Sequence, residues 1–157
     1  MGNRRFSWVD AVKVVLVTLP ETAAKAAKQL WKSKPGMDLR ITKARKPEWL
    51  AQNLDNPFRG WDGAEHIPAA AAKKAANQYR KTRSQLMKLA AEPGEGAQAP
   101  ALDAVAAYTQ TFNKMGFIET EERDEIYMAL RSILDALPDS ALQKDALIEK
   151  FDELRDF

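Results

Sequence analysis

The stretch Pro68 to Glu92, PAAAAKKAANQYRKTRSQLMKLAAE, decides how the rest of the chain is read. Proline fits the first turn of a helix, alanine dominates the opening, and Pro93-Gly94 stops a predicted helix of about 24 residues, roughly 36 Å long. Ala71, Ala75, Tyr79, Thr82, Leu86 and Leu89 recur at spacings of four and three, which predicts a packing side. Lys73, Lys74, Arg80, Lys81, Arg83 and Lys88 spread over the other side. One face can enter a core, and the other is a basic rod.

The charge of the chain divides where this helix ends. Met1 to Ala91 carries 18 Lys and Arg against 7 Asp and Glu, a net of +11, and Glu92 to Phe157 carries 6 against 15, a net of −9. Either the acidic half docks on the basic half or each meets its own partner. Docking is expected, because 157 residues make one domain with few other places for both surfaces. A chain of this length buries about 70% of its surface. Hydrophobic residues at 45% and charged residues at 29% support that packing and argue against wholesale disorder. The absence of cysteine excludes disulfides, thiolate metal sites and cysteine nucleophiles, and fits a reducing compartment.

MGNRRFS places Ser7 one position late for myristoylation, and the apolar run Val14 to Leu19 is short for a signal core and preceded by Asp10 and Lys13. No run approaches the ~18 apolar residues of a membrane span, so a cytoplasmic protein is expected. Ser7 and Asp10 can open a helix whose stripe is Trp8, Val12, Val15 and Leu19. The valines at 12, 14, 15 and 17 pull toward a strand, and helix is the expectation retained. Pro20-Glu21 starts a second helix with Ala23, Ala27, Leu30 and Trp31 inward. Met37 to Thr42 allows a short extended segment with no obvious strand to pair with. Pro47 to Leu54 repeats the proline-and-acid signature of a helix start.

Asp55 to Ile67, DNPFRGWDGAEHI, is a loop of about 13 residues, near the length at which loops are often functional. Glu92 to Pro100 is linker-like, a turn or a lobe boundary. Beyond it, Leu102, Val105, Thr109 and Phe112 mark a helix ending at Gly116, expected as a left-handed cap. Thr120 with Glu121 and Glu122 opens another, with Ile126, Ala129, Leu130, Ile133, Leu134 and Leu137 apolar. Pro138-Asp139 leads to a last helix facing inward through Leu147, Ile148, Phe151 and Leu154. The expected fold is all-α, an irregular bundle of about five to seven helices with a long central basic helix and an acidic carboxyl-terminal three-helix segment. It forms a single domain over residues 1–157, divisible into a basic lobe (1–91) and an acidic lobe (101–157).

The inventory for catalysis is thin, and no catalytic residue, metal ligand set or cofactor is assigned. His66 is the one histidine; Asp62, Glu65 and Arg59 surround it in sequence, but no serine lies nearby and the spacing is not a metal signature. The acids from Glu119 to Glu125 lack the alternating ligands of a calcium loop. Phe58, Trp61 and Ile67 are either a binding anchor or a plug beneath the loop. The basic rod could neutralise nucleic-acid phosphates, with Arg4, Arg5, Lys43, Arg45 and Lys46 extending it. A pI of about 8.8 and the lack of a recognisable nucleic-acid motif weigh against that.

The expected function is therefore a non-catalytic protein-interaction module of bacterial type, an adaptor, regulator or toxin-immunity inhibitor. Its contact residues are Phe58, Arg59, Trp61, Asp62, Glu65 and His66 in the loop, and Lys73, Lys74, Arg80 and Lys81 on the helix. Nucleic-acid binding through the basic face of residues 68–92 is the alternative, and the sequence carries no signal of oligomeric state.

Overall fold

A computed structural model describes residues 13–17, 20–32, 37–41, 44–92, 94–139 and 142–157. The chain splits into two compact units, Met1–Leu54 and Asp55–Phe157. Among the described residues six α-helices carry the architecture: α1 (Glu21–Trp31), α2 (Pro47–Gln52), α3 (Ala69–Ala91), α4 (Gln98–Asn113), α5 (Thr120–Ala136) and α6 (Lys144–Leu154). The number matches the expected bundle. The boundary between units does not fall in the Glu92–Pro100 linker, because α3 and α4 on either side of it pack directly on each other.

In the first unit, Lys13–Val17 forms a strand, β1, and not the helix that Trp8, Val12, Val15 and Leu19 were expected to continue; Ser7, Trp8, Val12 and Leu19 lie outside the described residues. The physical reason is β-branching, which favours the pleat over the helix. β1 pairs in parallel with β2 (Met37–Ile41), from Lys13 opposite Met37 to Val17 opposite Ile41. That pairing supplies the partner the extended segment lacked in sequence, with α1 as the crossover. The Glu21 N–H donates to the Arg45 carbonyl at 3.0 Å, and the Arg45 guanidinium stacks 4.3 Å above the Trp49 ring. Ala24 is the buried face of α1, whereas Leu30, about 120° away around the helix, is 68% exposed rather than inward.

The regular elements described in the second unit are all helices. α4 and α6 run in the same direction, pinned at both ends by reciprocal amide pairs. At the amino ends the Gln143 N–H donates to Gln98 Oε1 at 2.8 Å, and the Gln98 amide donates to the Gln143 carbonyl at 3.4 Å. At the carboxyl ends Asn113 donates to the Leu154 carbonyl at 2.8 Å and accepts the Asp156 N–H at 3.0 Å. Tyr108 ties α4 to α5 by donating to the Ile126 carbonyl at 2.8 Å, and burial raises its phenol pKa well above 10. α3 closes the unit with Ala72, Ala75, Ala76, Tyr79, Thr82, Leu86 and Ala90 buried, while Ala71 and Leu89 are half-buried at the edge.

Two turns differ from expectation. α4 does not end on a left-handed Gly116; Lys114 closes it at φ −89°, with the Met115 N–H on the Phe112 carbonyl at 2.8 Å. Among the described residues the left-handed glycine is Gly63, at φ 98°, third residue of a turn in which Asp62 sits at φ −74°, ψ 106° and the Ala64 N–H meets the Trp61 carbonyl at 3.2 Å. That is a type II turn, which places glycine at its third position. Gly63→Ala is expected to cost about 1–2 kcal/mol in urea unfolding. Gly116→Ala, where a Cβ would meet nothing within 4 Å, is expected to leave stability unchanged or slightly raised.

Candidate functional site

The Asp55–Ile67 segment is short on regular structure but not on bonds. Asn56 Oδ1 accepts the Phe58 N–H at 3.0 Å, and a 3₁₀ turn spans Arg59–Trp61. The Ile67 N–H then reaches the Ala64 carbonyl at 3.3 Å. These consecutive turns drive Phe58 and Trp61 inward, to 0% and 2% exposure. Phe58 meets Trp61 at 4.8 Å, Phe112 of α4 at 5.3 Å and Tyr79 of α3 at 6.3 Å between ring centroids. Trp61 also packs edge-on to Phe117 at 5.5 Å. The expectation that Phe58 and Trp61 present themselves to a partner is thereby corrected: these apolar rings are the plug beneath the loop, because together they bury more favourably than they solvate.

Two side-chain bonds fasten the loop to the start of α5. Trp61 Nε1 donates to Glu125 Oε2, and His66 Nε2 lies 2.8 Å from Glu122 Oε1. Glu122 is buried, 6% exposed at its side chain, and its other oxygen accepts the Glu119 N–H at 3.0 Å in a capping box. Both carboxylate oxygens are therefore partnered, as a buried charge requires. Burial pushes the Glu122 carboxyl up, but the bonds from His66 and from the backbone N–H groups of Glu119 and Glu122 outweigh it and leave the pKa below 4.5. The hydrogen bond to Glu122 raises the His66 pKa above 6.5, opposed by desolvation and helped by the charges of Glu122, Glu119 and Glu121. Desolvation raises the Glu125 carboxyl, against the Trp61 bond and with the charges of Glu121 and Glu122.

Among the described residues Glu122 is the one hydrogen-bond partner of His66, so the imidazole serves as a clamp. No group of three His, Cys, Asp or Glu among the described residues could hold a metal ion, and no helix there is long and apolar enough to cross a membrane. Arg59, Glu65 and His66 are exposed and Asp62 is half-buried. With Glu119 and Glu121 they make a predominantly acidic pole next to the start of α3.

Along α3 the charge is reversed. The helix carries six basic residues and no acid, and Lys73, Lys74, Arg80, Lys81, Arg83 and Lys88 are all exposed. Lys73, Lys74, Lys81, Arg83 and Lys88 form no ion pair with another described residue. α4 and α5 pack on α3 through its Ala-Tyr-Leu seam. Charges left in water keep their hydration, while the apolar seam gains by losing its own. Sequence reasoning missed Glu122 and Glu125. The Glu119-x-x-Glu122 spacing of a capping box was the available signal for the first; nothing marked the second.

Comparison of the chain with protein-family models, with curated proteins and with solved structures found no match.

The clamp predicts a pH dependence whose sign follows from the two shifts. His66, raised in the folded state, contributes stability fully present below about pH 6.5 and lost as pH rises through its folded value. Glu122, lowered, contributes above about pH 4.5 and loses its effect as pH falls through its folded value. His66→Ala should therefore lower the thermal midpoint more at about pH 5.5 than at about pH 8.5, read by circular dichroism. Phe58→Ala should cost about 3–5 kcal/mol in denaturant unfolding, as removal of a core ring does and removal of a surface contact does not.

Proposed function

We propose that this protein is a non-catalytic protein-interaction module, an adaptor, regulator or toxin-immunity-type inhibitor, that binds through the basic face of α3 and the polar rim of the adjoining loop. The observation that carries this reading is the row of exposed basic side chains on a helix whose opposite face is locked in the core. Such a face is rigid, so little ordering entropy is lost on its side, and its exposed charge is available for steering and specificity. Lys73, Lys74, Arg80 and Lys81 are the assigned contacts on the helix, with Arg59, Asp62, Glu65 and His66 at its end.

The alternative, a nucleic-acid-binding accessory protein using the same face, is less favoured by the charge around it. Residues 55–157 hold 13 Lys and Arg against 18 Asp and Glu, a net of −5, and an acidic pole adjoins the stripe. A phosphate backbone following α3 would run into those carboxylates, whereas a protein surface of mixed charge can match both.

Changing Lys73, Lys74, Arg80 and Lys81 together to Glu is expected to weaken capture of the protein partner from host extract at least about tenfold, with the thermal midpoint little changed. Full retention of that partner by the variant would reject the reading. A mobility shift of duplex DNA that falls steeply with salt and disappears in the same variant would favour nucleic acid instead.

A further inference from the structure

The exposed face of α3 has a period. Lys74, Lys81 and Lys88 recur every seven residues, and so do Lys73 and Arg80. At 3.6 residues per turn these form two rows of cations, each repeating about every 10.5 Å along the axis. Between the rows runs a second seven-residue series, Ala70, Asn77, Ser84 and Ala91, all exposed and all short. The outer face of α3 is thus a shallow channel with a floor of small side chains and two walls of positive charge.

The same chain carries a ridge of the opposite sign with the same period. On α6, Asp145, Glu149 and Asp152 are exposed at spacings of four and three, and Asp156 continues the line just past the helix end. Asp145 to Asp152 and Glu149 to Asp156 are both steps of seven. α6 is about 16 Å long, within the roughly 22 Å between Lys73 and Lys88. On the basic side Lys73, Lys74, Lys81 and Lys88 form no ion pair with another described residue. α6 packs on α4, and Asp145, Glu149 and Asp156 form no ion pair with another described residue. Asp152 pairs only with Arg155, at 3.1 Å, a surface pair worth little and readily exchanged.

We propose that the α3 channel receives the α6 ridge of a second copy of this chain. The two helices lie along each other with each carboxylate between two cationic rows, and the short floor residues admit the ridge closely. The contact is between two different patches, so one copy offers the ridge and the next the channel. It rests on the reading of α3 as a protein-binding face and names the occupant. The two can fail separately: a chain that stays monomeric yet binds a different protein through α3 loses only the second-copy assignment.

The test is sedimentation velocity of the full chain over roughly a hundredfold range of protein concentration. The sedimentation coefficient is expected to rise with concentration at an ionic strength of about 0.01 M, where charges act over about 30 Å, and to be constant at about 1 M, where they act over about 3 Å. Lys74→Glu with Lys81→Glu and Lys88→Glu should make the chain monomeric at low salt, and so should Glu149→Lys with Asp152→Lys. Mixing these two folded variants should restore association, because the native acidic ridge of the first meets the native basic channel of the second. A wild-type chain monomeric at low salt, association that survives either charge reversal, or variants that fail to rescue each other when mixed would each overturn the proposal. Low-salt binding of duplex DNA by a monomeric wild type would assign the channel to nucleic acid.

Discussion

Phe58 lies at the meeting point of three elements, with the Trp61, Tyr79 and Phe112 rings within 6.3 Å of it. A fully buried phenyl ring contributes on the order of 2–3 kcal/mol through burial alone, and more through edge-to-face contacts. To place it there the chain around it must turn several times within a few residues, which the Asn56 side chain before it and the 3₁₀ turn and left-handed Gly63 after it accomplish. The loop is consequently part of the core, and its position fixes where α3 begins. Everything displayed on α3 inherits its orientation from that ring.

Electrostatics completes what burial begins. Glu122 is charged and buried, a combination that survives because one oxygen takes a backbone N–H and the other faces His66. The same pair joins residue 66 to the first turn of α5, so the loop is anchored by rings on its inner side and by an ion pair on its outer side. The cations of α3 are treated differently by the fold. They stay exposed to water, where they cost little in desolvation, and Lys73, Lys74, Lys81, Arg83 and Lys88 form no ion pair with another described residue.

Much of the helical architecture was legible because it rests on local rules. The Ala-Tyr-Leu spacing located α3, Pro20-Glu21 and Pro47-Glu48 located α1 and α2, and the apolar stripe from Ile126 to Leu137 located α5. Lys13–Val17 was misjudged because its valines fit both periods, and only the presence of Met37–Ile41 as a parallel partner decides for the strand. The left-handed conformation expected of Gly116 falls instead to Gly63, since a glycine after a helix and a glycine in a loop look equally able to turn left-handed. Trp61 was undecidable for a related reason: an aromatic in a loop reads as an anchor or as a plug until its neighbours in space are known.

Sequence by itself determined the composition of the faces: which residues of Ala69–Ala91 could be apolar together, which would be cationic together, and that acids would crowd the first turn of α5. Those properties depend on spacing along one helix, and spacing is written in the chain. Tertiary structure alone decided which surfaces remain outside. That Phe58 and Trp61 point inward, that Glu122 is buried against His66, and that α3 packs on α4 and α5 through its apolar seam are outcomes of contacts between distant segments. Burial is a competition for a limited interior, and the winners are set by how all the elements fit at once.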